Sequence, residues 1–177
     1  MADLSAFQPL FPEERVIGPL HDLSAQVIDG CLRLAGHGVA PVAVALRPKL
    51  RAMNSYYTNR IEGQQTRPAD IERAIRKDFD ADAAIARKLR LAVAHIEVED
   101  ELERSTGATA PTALFSGALV CEIHARLYGK LPASDQITDQ GEPVRAGQYR
   151  MKDVSAGLPV APPWQEIEGL VDGWAAR

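Results

Sequence analysis

Between residues 82 and about 103, Ala84, Ile85, Leu89, Ala92, Val93 and Ile96 return at intervals of three and four. That spacing sets them on one face of an α-helix and does not fit the two-residue alternation of a strand. A long helix with one apolar face must bury that face against other elements, so this stretch commits the chain to a mainly α fold.

The same period recurs along the chain. Residues 22–35 read as a short helix with Leu23, Val27, Ile28, Leu32 and Leu34 as apolar positions and Gly36 as its stop. Gly36-His37-Gly38 then reads as a turn, with His37 a loop residue. Residues 1–20 carry Phe7, Leu10, Phe11 and Ile17 among Pro9, Pro12 and Pro19 and show no period, so they read as an extended segment. A helix is expected to begin near Arg47-Pro48, because proline suits the first helical position, where its missing N–H costs nothing. Leu50, Met53, Tyr57 and Ile61 make its apolar face. Gly63 suits the left-handed residue that closes many helices. Thr66 is expected to cap the next helix, with Pro68 in its first turn, and Ile71, Ala74 and Ile75 carry it to about Lys77.

The far end of the long helix, Glu97-Val98-Glu99-Asp100-Glu101-Leu102-Glu103, is acidic and reads as a solvated face. A further helix is expected from Thr109-Ala110-Pro111-Thr112, carrying Leu114, Phe115, Ala118, Leu119, Ile123 and Leu127. His124 lies beside its apolar face and reads as a half-buried histidine bonded to a backbone carbonyl. Residues 133–160 lose the period, and a small β-hairpin is expected near 144–156. Pro162-Pro163 precede a last helix, residues 164–177, with Ile167, Leu170, Val171 and Trp174 facing inward. Two regions result: residues 1–40, an N-terminal segment and first helix, and residues 41–177, a single globular unit.

Charge and cysteine content remove several function classes. The 177 residues carry 20 basic against 24 acidic side chains, a net charge of −4. Nucleic-acid binding would need a basic excess, so no nucleic-acid partner is expected. Cys31 and Cys121 are far apart in apolar helical stretches and read as buried thiols, neither a disulfide framework nor a metal site. No apolar run reaches the length of a membrane span, and the N-terminus does not read as a signal peptide, so a cytoplasmic protein is expected.

One polar stripe stands out. Asn54, Thr58 and Glu62 fall four apart at the end of the helix closed by Gly63. A carboxylate in the last turn meets the negative end of the helix dipole, a cost of about 0.3–1 kcal/mol if exposed. Glu62 is therefore either solvated or held by a cation from elsewhere.

Thr58-Asn59-Arg60-Ile61-Glu62-Gly63 resembles the inhibitory motif of the Fic (Fic/DOC) family of protein adenylyltransferases: Ser or Thr, three residues, Glu, then Gly or Asn. Cys121-Glu122-Ile123-His124-Ala125-Arg126-Leu127 is similar to a core-helix segment of that family. Gly147-Gln148-Tyr149-Arg150 with Val154 is similar to its β-hairpin flap, and Pro162-Pro163-Trp164 resembles the turn that follows. The features keep the family's order over residues 46–177.

The resemblance implies a Fic-like helical bundle. It implies an autoinhibitory role for Thr58, Glu62 and Gly63, and target-binding flap residues Gly147, Tyr149, Arg150 and Val154. ATP and Mg²⁺ are the implied cofactors, with AMP passed to a protein hydroxyl. In self-inhibited members the motif Glu pairs with a phosphate-binding arginine, which would give Glu62 its cation.

One departure limits what this chain does alone. The catalytic signature His-Pro-Phe-x-(Asp/Glu)-Gly-Asn-(Gly/Lys)-Arg is absent: the four histidines are followed by Asp22, Gly38, Ile96 and Ala125, and no Gly-Asn pair occurs. The chain alone is expected to be inactive, with no catalytic or metal residues, and not to bind ATP and Mg²⁺ by itself. It ends mid-pattern at Trp174-Ala175-Ala176-Arg177, which fits the N-terminal part of a longer Fic protein. Its partners would be a protein substrate or a separate Fic catalytic chain; dimerisation into a homo-oligomer would cover apolar surface left open by a shortened core. Two alternatives stay open: a non-catalytic, antitoxin-like regulator acting on a separate Fic enzyme, and a plain helical protein-interaction domain.

Overall fold

A computed structural model describes residues 7, 12–37, 40–61, 63, 66–106, 116–138, 140–154 and 161–175. The chain is mainly α, and the described residues hold six α-helices: α1 (Glu14–His37), α2 (Ala40–Ile61), α3 (Pro68–Ile75), α4 (Ala83–Thr106), α5 (Gly117–Gly129) and α6 (Ile167–Ala175). It divides into two compact units, Gln8–Leu50 and Arg51–Arg177 with Met1–Phe7, so the division falls within α2.

In the first unit both helices start earlier than the sequence pattern places them. Residues 14–20, expected to be extended, form the first two turns of α1, and His37, expected in a turn, is its last residue. Pro19 sits inside α1 and leaves the carbonyl of Arg15 without its i+4 donor, a local loss that the helix continues past. In α2, Pro41 occupies the first turn, the place assigned to Pro48, and Pro48 lies in the helix interior. The positions expected to face inward on α1 are exposed: Leu23, Val27, Ile28, Leu32 and Leu34 are 55–76 % accessible. Cys31, expected to be buried, is exposed as well. Periodicity shows which face of a helix is apolar; it does not supply the surface that covers it.

The second unit is organised by α4. Its start is fixed by Asp82, whose Oδ1 accepts from the backbone N–H of Ala84 at 2.8 Å and of Ile85 at 3.1 Å, satisfying donors that a helix N-terminus leaves open. Leu89, Ala92 and Val93 of α4 close on Ile71 and Ala74 of α3, with Tyr56, Phe79 and Ile96 packed against them. This is the buried core. α3 ends where Lys77 takes φ +64, an uncommon conformation for a side chain with a Cβ. The paired contacts of the Arg73 guanidinium with Asp78, at 2.8 and 3.2 Å, hold that corner.

Beyond the core, α4 is tied to the segment after α5. Arg90 holds Asp135 at 2.5 and 3.1 Å, and Arg87 donates to the carbonyl of Ile137 at 2.7 Å. Lys130, just past α5, reaches Glu101 at 2.6 Å and Glu97 at 3.3 Å. α5 begins at Ser116, whose Oγ accepts from the N–H of Leu119 at 3.2 Å. The earlier start expected at residues 109–115 lies outside the described residues. In α6, Ile167, Leu170 and Val171 are half-buried, whereas Trp174 is exposed, its indole N–H donating to the carbonyl of Phe7 at 2.9 Å.

No strand occurs among the described residues. Residues 144–154 run as turns and irregular chain where a hairpin was expected; residues 155 and 156 lie outside the described set. Backbone pairing nearby is limited to one antiparallel bridge, Ile137 with Pro143. Gly147 in the left-handed region bends the chain within what would be a strand.

Candidate functional site

The motif Thr58–Gly63 lies at the end of α2, and the way α2 is seated decides what the motif presents. Its inward face is polar. Ser55 is fully buried and donates its hydroxyl to the carbonyl of Ala92 on α4 at 3.0 Å. Asn59, 8 % exposed, donates to Ser55 Oγ at 3.5 Å. The expected apolar face points to solvent instead: Leu50, Met53, Tyr57 and Ile61 are 47–82 % exposed.

The acidic run of α4 forms the other half of this seam. Arg51, with a side chain only 13 % exposed, bridges Asp100 at 2.5 Å and also holds Glu103. Asn54 donates to Glu99 at 3.1 Å. The run expected to be a solvated face is thus a paired one, with Arg51 and Asn54 on one side and Lys130 on the other. The Glu103 hydrogen bond, then the Asp100 and Glu103 charges, raise the Arg51 guanidinium above its ordinary pKa against the opposing effect of burial. Three polar atoms here are buried without a partner: Arg51 Nε, Glu99 Oε2 and His95 Nδ1. Arg51 meets Glu103 and Asn54 meets Glu99, so the helices run antiparallel, and the next turn brings Thr58 to the level of His95.

Thr58 itself is exposed. Gly63 adopts φ +73 and donates its N–H to the carbonyl of Arg60 at 3.1 Å, the left-handed closure the sequence predicts. Glu62 lies outside the described residues.

Residues 145–154 form a second cluster, docked on α5 and the start of α6. Gly147 donates its N–H to His124 Nδ1 at 2.8 Å. His124 is therefore half-buried as expected, yet it accepts from an amide rather than donating to a carbonyl. In that bond Nδ1 of the imidazole serves as the acceptor. Gly147 has φ +75, and a Cβ there would stand 3.0 Å from Ala125 Cβ and 3.2 Å from the Cys121 carbonyl. Glycine is what lets the loop lie this close to α5.

The neighbouring side chains are consumed by the fold. The Tyr149 hydroxyl is buried without a partner and lies where a Cβ on Gly117 would come within 2.6 Å of it. Burial first, then the nearby Cys121, Asp172 and Glu168, push the phenol above its ordinary pKa. Arg150 donates to the carbonyl of Lys152 at 2.6 Å and to that of Pro162, while Asp153 accepts from the N–H of Trp164 at 2.9 Å. Val154 is exposed. No hydrogen bond or ion pair among the described residues joins Thr58 or Gly63 to Gly147, Tyr149, Arg150 or Val154.

Sequence reasoning missed a third feature. A cleft of about 470 Å³ opens at the end of α2, lined by Tyr56, Arg60, Gly63 and Thr66. Arg60 donates to the Tyr56 hydroxyl at 2.9 Å. Thr66 was expected to cap α3, yet Arg67 occupies the cap position without a side-chain bond to the helix backbone. Arg67 turns instead to Asp70 at 2.7 and 3.2 Å. Pro68 at the first helical position sets that register, and Thr66 Oγ1 is left buried and unpartnered. The Tyr56/Arg60 pairing at i,i+4 was the available signal.

Among the described residues no group of three or more His, Cys, Asp and Glu side chains is arranged to hold a metal ion. The Mg²⁺ implied by the resemblance therefore has no fitting donor set in them. No helix among these residues is long and apolar enough to cross a membrane. Compared with known proteins, the chain matches no family model, no curated protein and no solved structure.

Proposed function

We propose that this chain is the N-terminal, regulatory part of a Fic-type protein adenylyltransferase, carrying the inhibitory helix and a target-binding flap but not the catalytic loop. One observation carries the reading: the motif lies at the glycine-closed end of α2, and the turns of α2 that lead to it are anchored. Arg51, Asn54 and Ser55 are bonded to α4, Asn59 donates to Ser55, and Thr58 remains exposed. An inhibitory helix needs that anchoring, because a carboxylate that blocks a phosphate site has to project from a surface that does not move. On this reading the Glu62 carboxylate meets a phosphate-binding arginine of the catalytic segment and keeps ATP from seating productively. Residues 145–154 would present the flap, with Arg150 bracing it from behind and exposed Val154 nearer the target.

The exposed stripe of Leu50, Met53, Tyr57 and Ile61 favours a second reading, in which the helix docks in trans on a separate catalytic chain. Both readings share one test. The chain is combined with a segment bearing the His-Pro-Phe signature, fused in one arm and added separately in the other, and AMP transfer from ATP to protein is measured. Repression by wild type and release by Glu62→Gly are expected. Repression only in the fused arm selects the first reading, and repression in both arms selects the second. Equal transfer with wild type and Glu62→Gly in both arms would leave a helical interaction domain.

A further inference from the structure

The cleft at the end of α2 is separate from Thr58: Tyr56 and Arg60 stand about 160° round the helix from it, at 3.6 residues per turn. Its size lies within the roughly 300–1,000 Å³ usual for small-molecule sites. Its wall at Gly63 is open, since a Cβ there would meet nothing within 4 Å.

Two features of its lining are unexplained by the fold. First, Arg60 is exposed and bonds only to the Tyr56 hydroxyl, which orients the guanidinium without neutralising it. Arg51, Arg67, Arg73 and Arg90 each hold a carboxylate, whereas no carboxylate among the described residues pairs with Arg60. Second, Thr66 is 7 % exposed and its Oγ1 has no partner. A buried hydroxyl without a bond costs about 1–3 kcal/mol, and a chain keeps such a group where something else satisfies it. Neighbouring Arg67 is committed to Asp70, so among the described residues lining the cleft Arg60 carries the free positive charge.

We infer that the cleft between Arg60 and Thr66 binds a small molecule through an oxyanion, a phosphate or a carboxylate. The guanidinium fork suits two oxygens of such a group, the Thr66 hydroxyl suits a third contact, and the Tyr56 ring lies beside the rest of the molecule. This inference is independent of the Fic reading, because it uses neither Thr58 nor Glu62; Arg60 stands at a variable place of the motif, and Gly63 enters only as open backbone.

The test is titration of the full chain with inorganic phosphate and, separately, acetate, followed by amide chemical shifts. Saturable shifts centred on Gly63 and Thr66 are expected with at least one probe. Arg60→Gln should weaken that binding at least tenfold and Thr66→Val severalfold. Arg76→Gln, at an exposed arginine past the end of α3, should leave it unchanged. Thermal melts of each variant confirm folding, and Thr66→Val, close in shape to the original, covers the case in which Arg60→Gln fails to fold. Binding of phosphate alone identifies a phosphate-bearing ligand, and binding of acetate alone a carboxylate. The inference is overturned by no saturable shift with either probe, by undiminished binding in Arg60→Gln and Thr66→Val, or by an equal loss in Arg76→Gln.

Discussion

The hydroxyl of Ser55 on α2 donates to the carbonyl of Ala92 on α4 at 3.0 Å, in full burial. This contact sets the orientation of α2. A serine and an asparagine face the core side of the helix, and a methionine and a tyrosine face water. The hydroxyl can lie against a helix backbone because it is small and brings its own donor, and the cost of burying it is met by the bond.

The first prediction inverts what the residue types suggest. Ser55→Leu should destabilise the second unit by about 1–3 kcal/mol, since no room exists for the added carbons at 3.0 Å from a carbonyl. Met53→Ala, at a side chain 47 % exposed, should fall within about 0.5 kcal/mol of wild type. Urea unfolding of the two variants measures both, and a costlier Met53→Ala would mean that α2 is rotated from this seating.

The elements were legible where local chemistry decides them. Asp82 before an apolar period marks the start of α4, and Gly63 after one marks the end of α2, each by satisfying helix-terminal groups that no distant residue supplies. What was not legible depended on partners far along the chain. Glu99, Asp100 and Glu103 look solvated until Arg51 and Asn54, about fifty residues earlier, are placed against them. The inward turn of Ser55 is the same case, because an apolar stripe outweighs a polar one in any local count. The start of α2 failed for a different reason: Pro48 was read as the first-turn proline, whereas Pro41 takes that place and the helix continues through Pro48. The cleft lined by Thr66 went unseen because its lining joins α2 to the approach of α3.

The Arg90–Asp135 pair should control acid stability. The Arg90 hydrogen bond, then its charge, hold the Asp135 carboxyl below the ordinary carboxylate pKa against the effect of burial. A depressed folded value means the stabilisation is complete above the unfolded pKa, about 3.9, and is lost as pH falls through the lower folded value. Asp135→Asn should therefore flatten stability against pH below about 4 while lowering it at pH 7. Arg90→Met leaves a carboxylate that is 6 % exposed without its cation and should cost about 2–3 kcal/mol, since Arg90 itself retains some solvent. Melting curves across pH 2–7 measure both, and parallel curves for wild type and Asp135→Asn would refute the assignment.

Two glycines with nearly equal φ should respond differently to alanine. At Gly63, φ +73, the new methyl meets open space, so only left-handed strain of about 1–2 kcal/mol applies. At Gly147, φ +75, the methyl also strikes Ala125 and the Cys121 carbonyl, which should raise the cost to about 2–4 kcal/mol. The Gly147 variant should also lose its bond to His124, visible as a shift of the His124 imidazole resonances; equal costs at both positions would mean that the loop does not lie on α5 as described.

The last prediction concerns Thr66 without any ligand. Its hydroxyl is buried, and Arg67 has taken the cap position that would have used it. Removing an unpartnered buried hydroxyl while keeping the side chain's shape takes away a desolvation cost and adds no cavity. Thr66→Val should therefore be as stable as wild type or more stable, by up to about 1 kcal/mol, in buffer free of phosphate and carboxylate. Adding phosphate or acetate should then raise the melting temperature of wild type more than that of the variant, by the linkage between binding and folding. A variant less stable than wild type in the anion-free buffer would mean that the chain itself satisfies the hydroxyl. The cleft would then lose one of its two supports, and Arg60 alone would not distinguish it from an ordinary exposed arginine.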